Sequence, residues 1–229
     1  MRDDTEKDQH RRVRSFVRRP GRMTRAQERA LSELLPVFRV PPQTDDLRLA
    51  FDRQRPLVVE IGFGNGDALA WMAANEPERN FVGIEVHEPG VGRVLKSLKS
   101  RGLENVRVAV RDAVEVLRDQ ARPGTLEEVR IYFPDPWPKK RHHKRRIVQE
   151  AFLALVADRL CPGGRLHLAT DWQPYAEWML EQLAASGHFE NVGKPFVERP
   201  PWRPQTHFER RGARKGHPIF DLLYRRIQA

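Results

Sequence analysis

The run LVVEIGFGNG, residues 57–66, is the clearest indicator of this chain's architecture. Its first half is short and apolar, which predicts a buried β-strand from Leu57 to Ile61. Glycines then stand at alternate positions, Gly62, Gly64 and Gly66, where they permit unusual φ angles and a close approach of backbone to a ligand. A strand followed by such a loop is typical of the ligand-binding edge of an open, parallel α/β sheet.

Downstream of this loop, short apolar runs alternate with helical patterns. The runs FVGIE, VRVAV, VRIYF and RLHLAT predict four more strands. Because parallel strands need right-handed crossovers, the alternation predicts a doubly wound, mostly parallel sheet with helices on both faces. Two more strands, at about 191–197 and 219–227, are expected to pair antiparallel at one edge, giving a seven-stranded α/β fold. Helices are predicted at about 25–37, 144–160 and 174–185.

The composition favours a polyanionic partner such as nucleic acid. The chain has 229 residues, with 41 Lys and Arg against 31 Asp and Glu, a formal net charge of +10. Residues 1–22, which include RRVRSFVRRPGR, are expected to be a flexible basic arm, and residues 23–229 one domain. No apolar run approaches the roughly 18 residues of a membrane span, so no membrane partner and a cytoplasmic location are expected. The single cysteine, Cys161, argues against a Cys-rich zinc site, and no metal is expected.

Acidic residues follow the first three predicted strands and point to a nucleoside cofactor. Glu60 stands two residues before Gly62, and the spacing G-x-G-x-G differs from the G-x-G-x-x-G that serves a pyrophosphate, so a phosphate-free cofactor is favoured. Glu85 can accept from a ribose diol, although an NAD enzyme carries a similar acid. Asp112 can accept from an adenine amino group, beside apolar Ala113. Each acid alone is equally well a helix cap or a solvated residue.

The fourth strand runs into FPDPWP, residues 133–138, whose three prolines stiffen the segment that carries Asp135 and Trp137. An Asp and a Trp beside a cofactor suit recognition of a planar base, with Trp137 either stacking on it or bracing the loop. A basic run follows and is expected to hold a phosphate backbone through Lys139, Arg141, Lys144, Arg145 and Arg146. Within it, His142 and His143 are interpreted as RNA contacts or surface residues, since no third metal ligand accompanies them.

Several segments resemble the bacterial tRNA (guanine-N7-)-methyltransferase family, over about residues 14–226: EIGFGNG, GIEVHEPGVG, DAVEVL, FPDPWPKKRHHKRRIVQ, ATDWQPYAEWML and residues 206–209. The resemblance implies a Rossmann-like class I methyltransferase fold, with S-adenosylmethionine as cofactor, S-adenosylhomocysteine as product and a guanine of the tRNA variable loop, position 46, as target. It implies cofactor contacts from Glu60, Glu85, Asp112 and Asp135, with Asp135 in the active site. Implied substrate contacts are Lys139, Asp171, Thr206, His207, Phe208 and Glu209. The family more usually has Lys where His207 stands, and a His at this position makes a weaker cationic contact at neutral pH.

Guanine N7 carries an in-plane lone pair, so methyl transfer to it needs no strong general base. Asp135, alone or with Asp171 or Glu209, is hypothesised to accept from guanine N1–H and the N2 amino group, donors that adenine lacks. The closest alternative is an amino-methyltransferase acting on adenine N6 or a protein amide, whose Asp/Asn-Pro-Pro-aromatic loop resembles residues 135–137. An NAD-dependent dehydrogenase and an RNA-binding protein with an inactive pocket are further alternatives. The oligomeric state, monomer or homodimer, stays open.

Overall fold

The computed structural model describes residues 14–16, 22–206, 209–210, 212 and 216–227. Its strands are β1 (Leu57–Ile61), β2 (Asn80–Ile84), β3 (Val106–Ala109), β4 (Leu126–Tyr132), β5 (Leu160–Thr170), β6 (Phe189–Asn191) and β7 (Phe220–Arg226). Its α-helices are α1 (Arg25–Phe38), α2 (Asp67–Asn75), α3 (Glu88–Ser100), α4 (Ala113–Gln120), α5 (Glu150–Arg159) and α6 (Gln173–Ser186). Two 3₁₀ helices cover Leu47–Ala50 and Lys140–Arg145.

The strands form one seven-stranded sheet in the order β3-β2-β1-β4-β5-β7-β6. Strands β1 to β5 are parallel, and β7 runs antiparallel to both β5 and β6. The predicted doubly wound sheet with an antiparallel edge is therefore confirmed. The strand order reverses between β1 and β4, and open α/β sheets bind ligands at the carboxyl ends of the strands beside such a reversal.

Hydrophobic cores cover both faces of the sheet, as is usual for parallel strands with helices on both sides. Alternate residues of β1 serve opposite faces: Val59 packs in the core with α4, α5 and α6, whereas Val58 packs in the core with α2 and α3. Helix α1 lies on the second face, where the Gln27 side chain donates to the Pro89 carbonyl of α3 at 3.0 Å. A capping box, in which Thr24 and Gln27 each bond the other's backbone, starts this helix.

Two predicted elements were wrong in their bounds. The helix expected at 144–160 is divided into a 3₁₀ helix, Lys140–Arg145, and α5, because the run KKRHHKRR would place like charges at i,i+4 in an α-helix. The strand expected at 191–197 is β6, Phe189–Asn191, and Val197 makes only an isolated antiparallel bridge to Asp221. No described helix is both long and apolar enough to cross a membrane.

Candidate active site

The carboxyl ends of β1, β2 and β4 open onto a cleft of about 540 Å³. We call it the main cleft. The predicted site residues that line it are Gly62, Gly64, Glu85, Ala113 and Asp135. The cleft lies at the reversal of strand order, so the sheet topology brings these residues together from four separate loops.

The glycine loop has the backbone that its spacing predicts. Gly62, Gly64 and Gly66 have φ angles of +74°, +57° and +74°, in the left-handed region that disfavours other residues. A Cβ on Gly62 would meet no atom within 4 Å, whereas one on Gly66 would lie 2.2 Å from Cγ2 of Val94. Gly62 therefore leaves room at the main cleft, and Gly66 allows the loop to pack on α3.

Glu85 accepts three backbone hydrogen bonds, one of which ties it to the glycine loop. Its Oε2 accepts from the Gly64 N–H at 2.9 Å. Its Oε1 accepts from the N–H groups of Val86 and His87 at 2.7 and 2.9 Å. These bonds orient a carboxylate at the end of β2 that also lines the main cleft.

Glu60 is a buried acid with an unused oxygen. It is 3% exposed, and its Oε2 has no hydrogen-bond partner among the described residues. Burial raises the pKa of Glu60, Arg130 partly opposes this and nearby Glu85 adds to it, so that the resulting pKa is about 7. Glu60 lines a smaller cavity of about 60 Å³ behind the glycine loop, with Asn65 and Thr206 among the other lining residues. A buried carboxylate oxygen without a partner fits a ligand that brings a hydrogen-bond donor.

Asp112 is the N-cap of α4, a role that the sequence allowed as an alternative to cofactor binding. Its Oδ1 accepts from the Val114 N–H at 2.9 Å and starts α4. The residues on either side of it, Arg111 and Ala113, line the main cleft, whereas Asp112 is buried behind them. The structure thus places Asp112 next to the cleft and not on its wall.

The loop after β4 has a strained backbone. Phe133 and Trp137 have φ angles of +53° and +44°, which non-glycine residues rarely adopt. The Trp137 indole N–H donates to the Ser15 carbonyl at 3.1 Å, and the Arg145 guanidinium lies 5.2 Å from its ring centroid. Trp137 therefore braces the loop, while Asp135 is exposed at the main cleft.

The amino-terminal segment contributes to the site in a way that sequence reasoning missed. Ser15 and Phe16, which fall within the predicted flexible arm, line the main cleft. Most of residues 1–22 lie outside the described residues, so the arm as a whole stays a prediction. The aromatic Phe16 within an Arg-rich run was the available signal.

The basic run divides into exposed and buried members. Lys139, Arg141 and Lys144 are exposed, as a phosphate-binding role requires. Arg146 is only 4% exposed: it donates to the Pro136 carbonyl at 2.9 Å and lies about 5 Å from the rings of Tyr175 and Trp178. This burial conflicts with the expected phosphate contact by Arg146. In the structure, Arg146 instead holds the loop after β4 through Pro136.

A buried network supports the carboxyl-terminal motif. Arg203 donates to Glu209 at 2.6 Å and to Asp221 at 2.6 and 2.7 Å. The Glu209 N–H donates to Thr206 Oγ1 at 3.1 Å, so the network fixes the loop that brings Thr206 to the smaller cavity. Glu209 is itself 5% exposed, which leaves little of it for the expected substrate contact.

The same network continues into the sheet. His167 Nε2 lies 2.8 Å from Asp221, and His167 Nδ1 lies 3.0 Å from the Tyr132 hydroxyl. Sequence reasoning missed Arg203, His167 and Asp221, because partners that meet through tertiary packing leave no local pattern. His207 and Phe208 lie outside the described residues.

Asp171 follows β5 at the same edge of the sheet. Its side chain is about one-third exposed, and its Oδ2 lies 3.6 Å from His217 Nδ1. In the described part of the chain, no group of three or more His, Cys, Asp or Glu side chains has the arrangement to hold a metal ion.

Comparisons with known proteins agree with this geometry. Residues 54–222 match the model of a family described as "Putative methyltransferase". Two relatives called tRNA (guanine-N(7)-)-methyltransferase, from Halorhodospira halophila and Alkalilimnicola ehrlichii, are 58% and 55% identical. Their alignments cover 95% and 93% of this chain and 96% and 92% of the relatives. The solved 16S rRNA methyltransferase KamB has a TM-score of 0.57 at 16% identity, covering 95% of this chain and 99% of KamB, a likeness of fold.

Proposed function

The chain belongs to the tRNA (guanine-N(7)-)-methyltransferase family, and from that premise we propose that it transfers a methyl group from S-adenosylmethionine to N7 of a guanine in tRNA. The observation that carries the proposal is the convergence of Gly62, Glu85, Ala113 and Asp135 on one cleft. The exposed cations of the basic run begin four residues after Asp135. A cofactor and a polyanion can therefore meet at this edge of the sheet.

The donor and acceptor groups of the site fit S-adenosylmethionine. Glu85, oriented by the glycine loop, accepts from the ribose hydroxyls, and Ala113 gives apolar contact to the adenine, with Asp112 near its amino group. The unpartnered oxygen of Glu60 suits a donor from the methionine portion, near Gly62, Gly64 and Gly66. When bound, the cofactor supplies an electrophilic sulfonium methyl group and leaves as S-adenosylhomocysteine.

Asp135 is the proposed catalytic residue. Its position on the cleft wall, on a loop braced by Trp137, lets it contact both cofactor and target base. It accepts from guanine N1–H and the N2 amino group, which orients N7 for in-line attack and discriminates against adenine by about 1–3 kcal/mol. Positive charge moves to the purine during transfer, and the carboxylate of Asp135 stabilises it.

The substrate contacts divide into direct and supporting residues. Lys139, Arg141, Lys144 and Arg145 bind tRNA phosphates, with Asp171, Thr206, His207 and Phe208 near the target nucleotide. Glu209 and Arg146, which are buried, act by holding Thr206 and the basic run in place. The proposed target is the variable-loop guanine at position 46, and the protein is proposed to be cytoplasmic and either a monomer or a homodimer.

Nucleoside analysis tests this function. Unmodified tRNA is incubated with the protein and S-adenosylmethionine, digested and separated by mass spectrometry. The expected product is 7-methylguanosine. Formation of N6-methyladenosine would support the amino-methyltransferase alternative, which the named relatives do not favour, and an unmodified digest would contradict the proposal altogether.

A further inference from the structure

Another pocket, of about 380 Å³, lies between the basic run and α6. We call it the side pocket. One wall includes Pro138, Lys140 and His143, and the other Trp172, Glu177 and Glu181. The walls follow β4 and β5, which run parallel, so the side pocket lies at the same edge of the sheet as the main cleft. Among the described residues, the linings of the two pockets do not overlap.

Trp172 is the exposed aromatic surface of the side pocket. It is 40% exposed, and its backbone N–H donates to Thr170 Oγ1 at 3.2 Å at the start of α6. The other tryptophan of the pocket, Trp178, is occupied within the fold: its indole N–H donates to the Val148 carbonyl at 2.9 Å, and Arg146 covers its ring. Trp172 is therefore an aromatic platform that the hydrophobic core does not use.

His143 adds a polar group that lacks a partner. Its Nε2 is inaccessible to solvent and makes no hydrogen bond among the described residues, while its ring packs edgewise on Trp178 at 5.7 Å. Buried polar atoms are nearly always hydrogen-bonded, so this ring nitrogen leaves unused hydrogen-bonding capacity in a residue that lines the side pocket.

The charges of the side pocket select the chemical class of that ligand. Glu177 and Glu181 on α6 repel a phosphate group and favour N–H donors, and Gln173 already donates to Glu177 Oε1 at 2.9 Å. Lys140 at the opposite wall suits a phosphate next to the pocket. These charges favour a ligand that combines a planar ring, carrying amino or imino hydrogens, with an adjoining phosphate. A nucleotide has this combination.

We propose that the side pocket binds a second nucleobase of the tRNA, stacked on Trp172 with its amino or imino edge toward Glu177, Glu181 and His143. This inference rests on the proposed function, because the base belongs to the substrate whose target guanine occupies the main cleft. Trp172 directly follows Asp171, so the stacked base lies close to the nucleotide undergoing methylation. Stacking of this base on Trp172 positions the neighbouring target nucleotide relative to Asp135.

Three variants test the inference. Trp172→Ala removes the platform, Trp172→Phe keeps an aromatic ring, and Trp71→Ala removes a tryptophan of similar exposure, 36%, on α2. Unmodified tRNA transcript is the probe, and KM, kcat, the Kd for tRNA and the Kd for S-adenosylhomocysteine are measured. Trp172→Ala is expected to raise the KM and Kd for tRNA about 10-fold, in line with base stacking on an aromatic side chain. Trp172→Phe should recover most of this loss, and Trp71→Ala and all cofactor affinities should stay at the wild-type value.

Equal tRNA affinity of Trp172→Ala and Trp71→Ala would overturn the inference, as would a loss that Trp172→Phe does not recover. A fall in S-adenosylhomocysteine affinity alongside the tRNA effect would also overturn it, since that indicates general damage. Failure of the proposed function looks different: the wild type then forms no 7-methylguanosine. The direct Kd for tRNA still decides the role of Trp172 in that case.

Discussion

Glu60 is a buried acid whose protonation is coupled to folding stability. Its pKa of about 7 exceeds the ordinary value of 4.5 because burial disfavours the charged form. The protonated acid therefore favours the folded state, and this stabilisation, complete below pH 4.5, is lost as the pH rises through 7. The place of Glu60 next to the glycine loop could be predicted from its position before Gly62, but its burial and raised pKa could not.

Replacing Glu60 with Gln tests this coupling. Without cofactor, the stability of Glu60→Gln relative to wild type should improve by about 2–3 kcal/mol between pH 5 and pH 8, because Gln has no charge to bury. Urea unfolding at the two pH values measures the difference. Affinity for S-adenosylhomocysteine should fall at both. A stability difference that does not change with pH would contradict the raised pKa.

Arg203 is a positioning residue whose importance only tertiary structure reveals. Arg203→Lys keeps the charge but cannot hold Glu209 and Asp221 together, so kcat/KM for tRNA should fall about 10-fold. Arg130→Lys is the matched control, since Arg130 is also buried and pairs Glu76 with Glu128. Both variants should lose about 1–3 kcal/mol of unfolding free energy. An equal catalytic loss in both would mean that Arg203 acts only through stability.

At the scale of secondary-structure elements, local sequence patterns predicted the helices and strands that local interactions determine. Helix α1 begins where the capping box of Thr24 places it, and the apolar runs of β1 to β5 indicate buried strands directly. The predicted bounds of strand β6 were wrong because a turn ends the strand at Asn191, where the Gly193 N–H donates to the Asn191 side chain at 2.9 Å. The contact between Ser15 and Trp137 spans 122 residues and has no sequence signature.

The packing of α3 on the glycine loop allows a test at this scale. A Cβ on Gly90 would lie 2.1 Å from the Gly64 carbonyl oxygen. Gly90→Ala should therefore displace the loop and lower S-adenosylhomocysteine affinity about 10-fold or more, and should reduce stability by about 1–3 kcal/mol. Calorimetric titration measures the affinity.

Gly102→Ala is the control for this displacement. Gly102 has a φ of +63° and nothing within 4 Å of the added Cβ, so its substitution costs stability through backbone strain alone. Its cofactor affinity should equal that of the wild type. If Gly90→Ala binds S-adenosylhomocysteine as the wild type does, then α3 does not position the loop.

At the scale of the whole molecule, the charge of +10 and the place of the main cleft are features that composition and strand order predict. The burial of Arg146 and Glu209 could not be predicted, because whether a charged side chain faces solvent or a buried partner depends on the assembled fold. The proposed tRNA-binding surface is the edge of the sheet where exposed cations lie beside the main cleft.

The contribution of the amino-terminal arginines to tRNA binding can be measured from the salt dependence of the affinity. Replacing Arg14, Arg18, Arg19 and Arg22 with Gln should weaken tRNA binding and reduce its log–log salt dependence by about 0.7–0.9 for each phosphate that the arm no longer neutralises. Replacing Lys96, Lys99 and Arg101, exposed around the carboxyl end of α3 and so away from the main cleft, should leave the slope unchanged. An arm variant with the wild-type slope would remove the arm from tRNA binding.

The most direct measurement of the central claim is methyl-transfer turnover by Asp135→Ala at saturating tRNA and S-adenosylmethionine, with tRNA affinity determined in parallel. In the proposed mechanism Asp135 orients and stabilises the reacting guanine, whereas phosphate contacts supply most of the affinity, so turnover should fall about 100-fold or more while tRNA binding persists. Turnover at the wild-type rate would contradict a catalytic role for Asp135 in the main cleft.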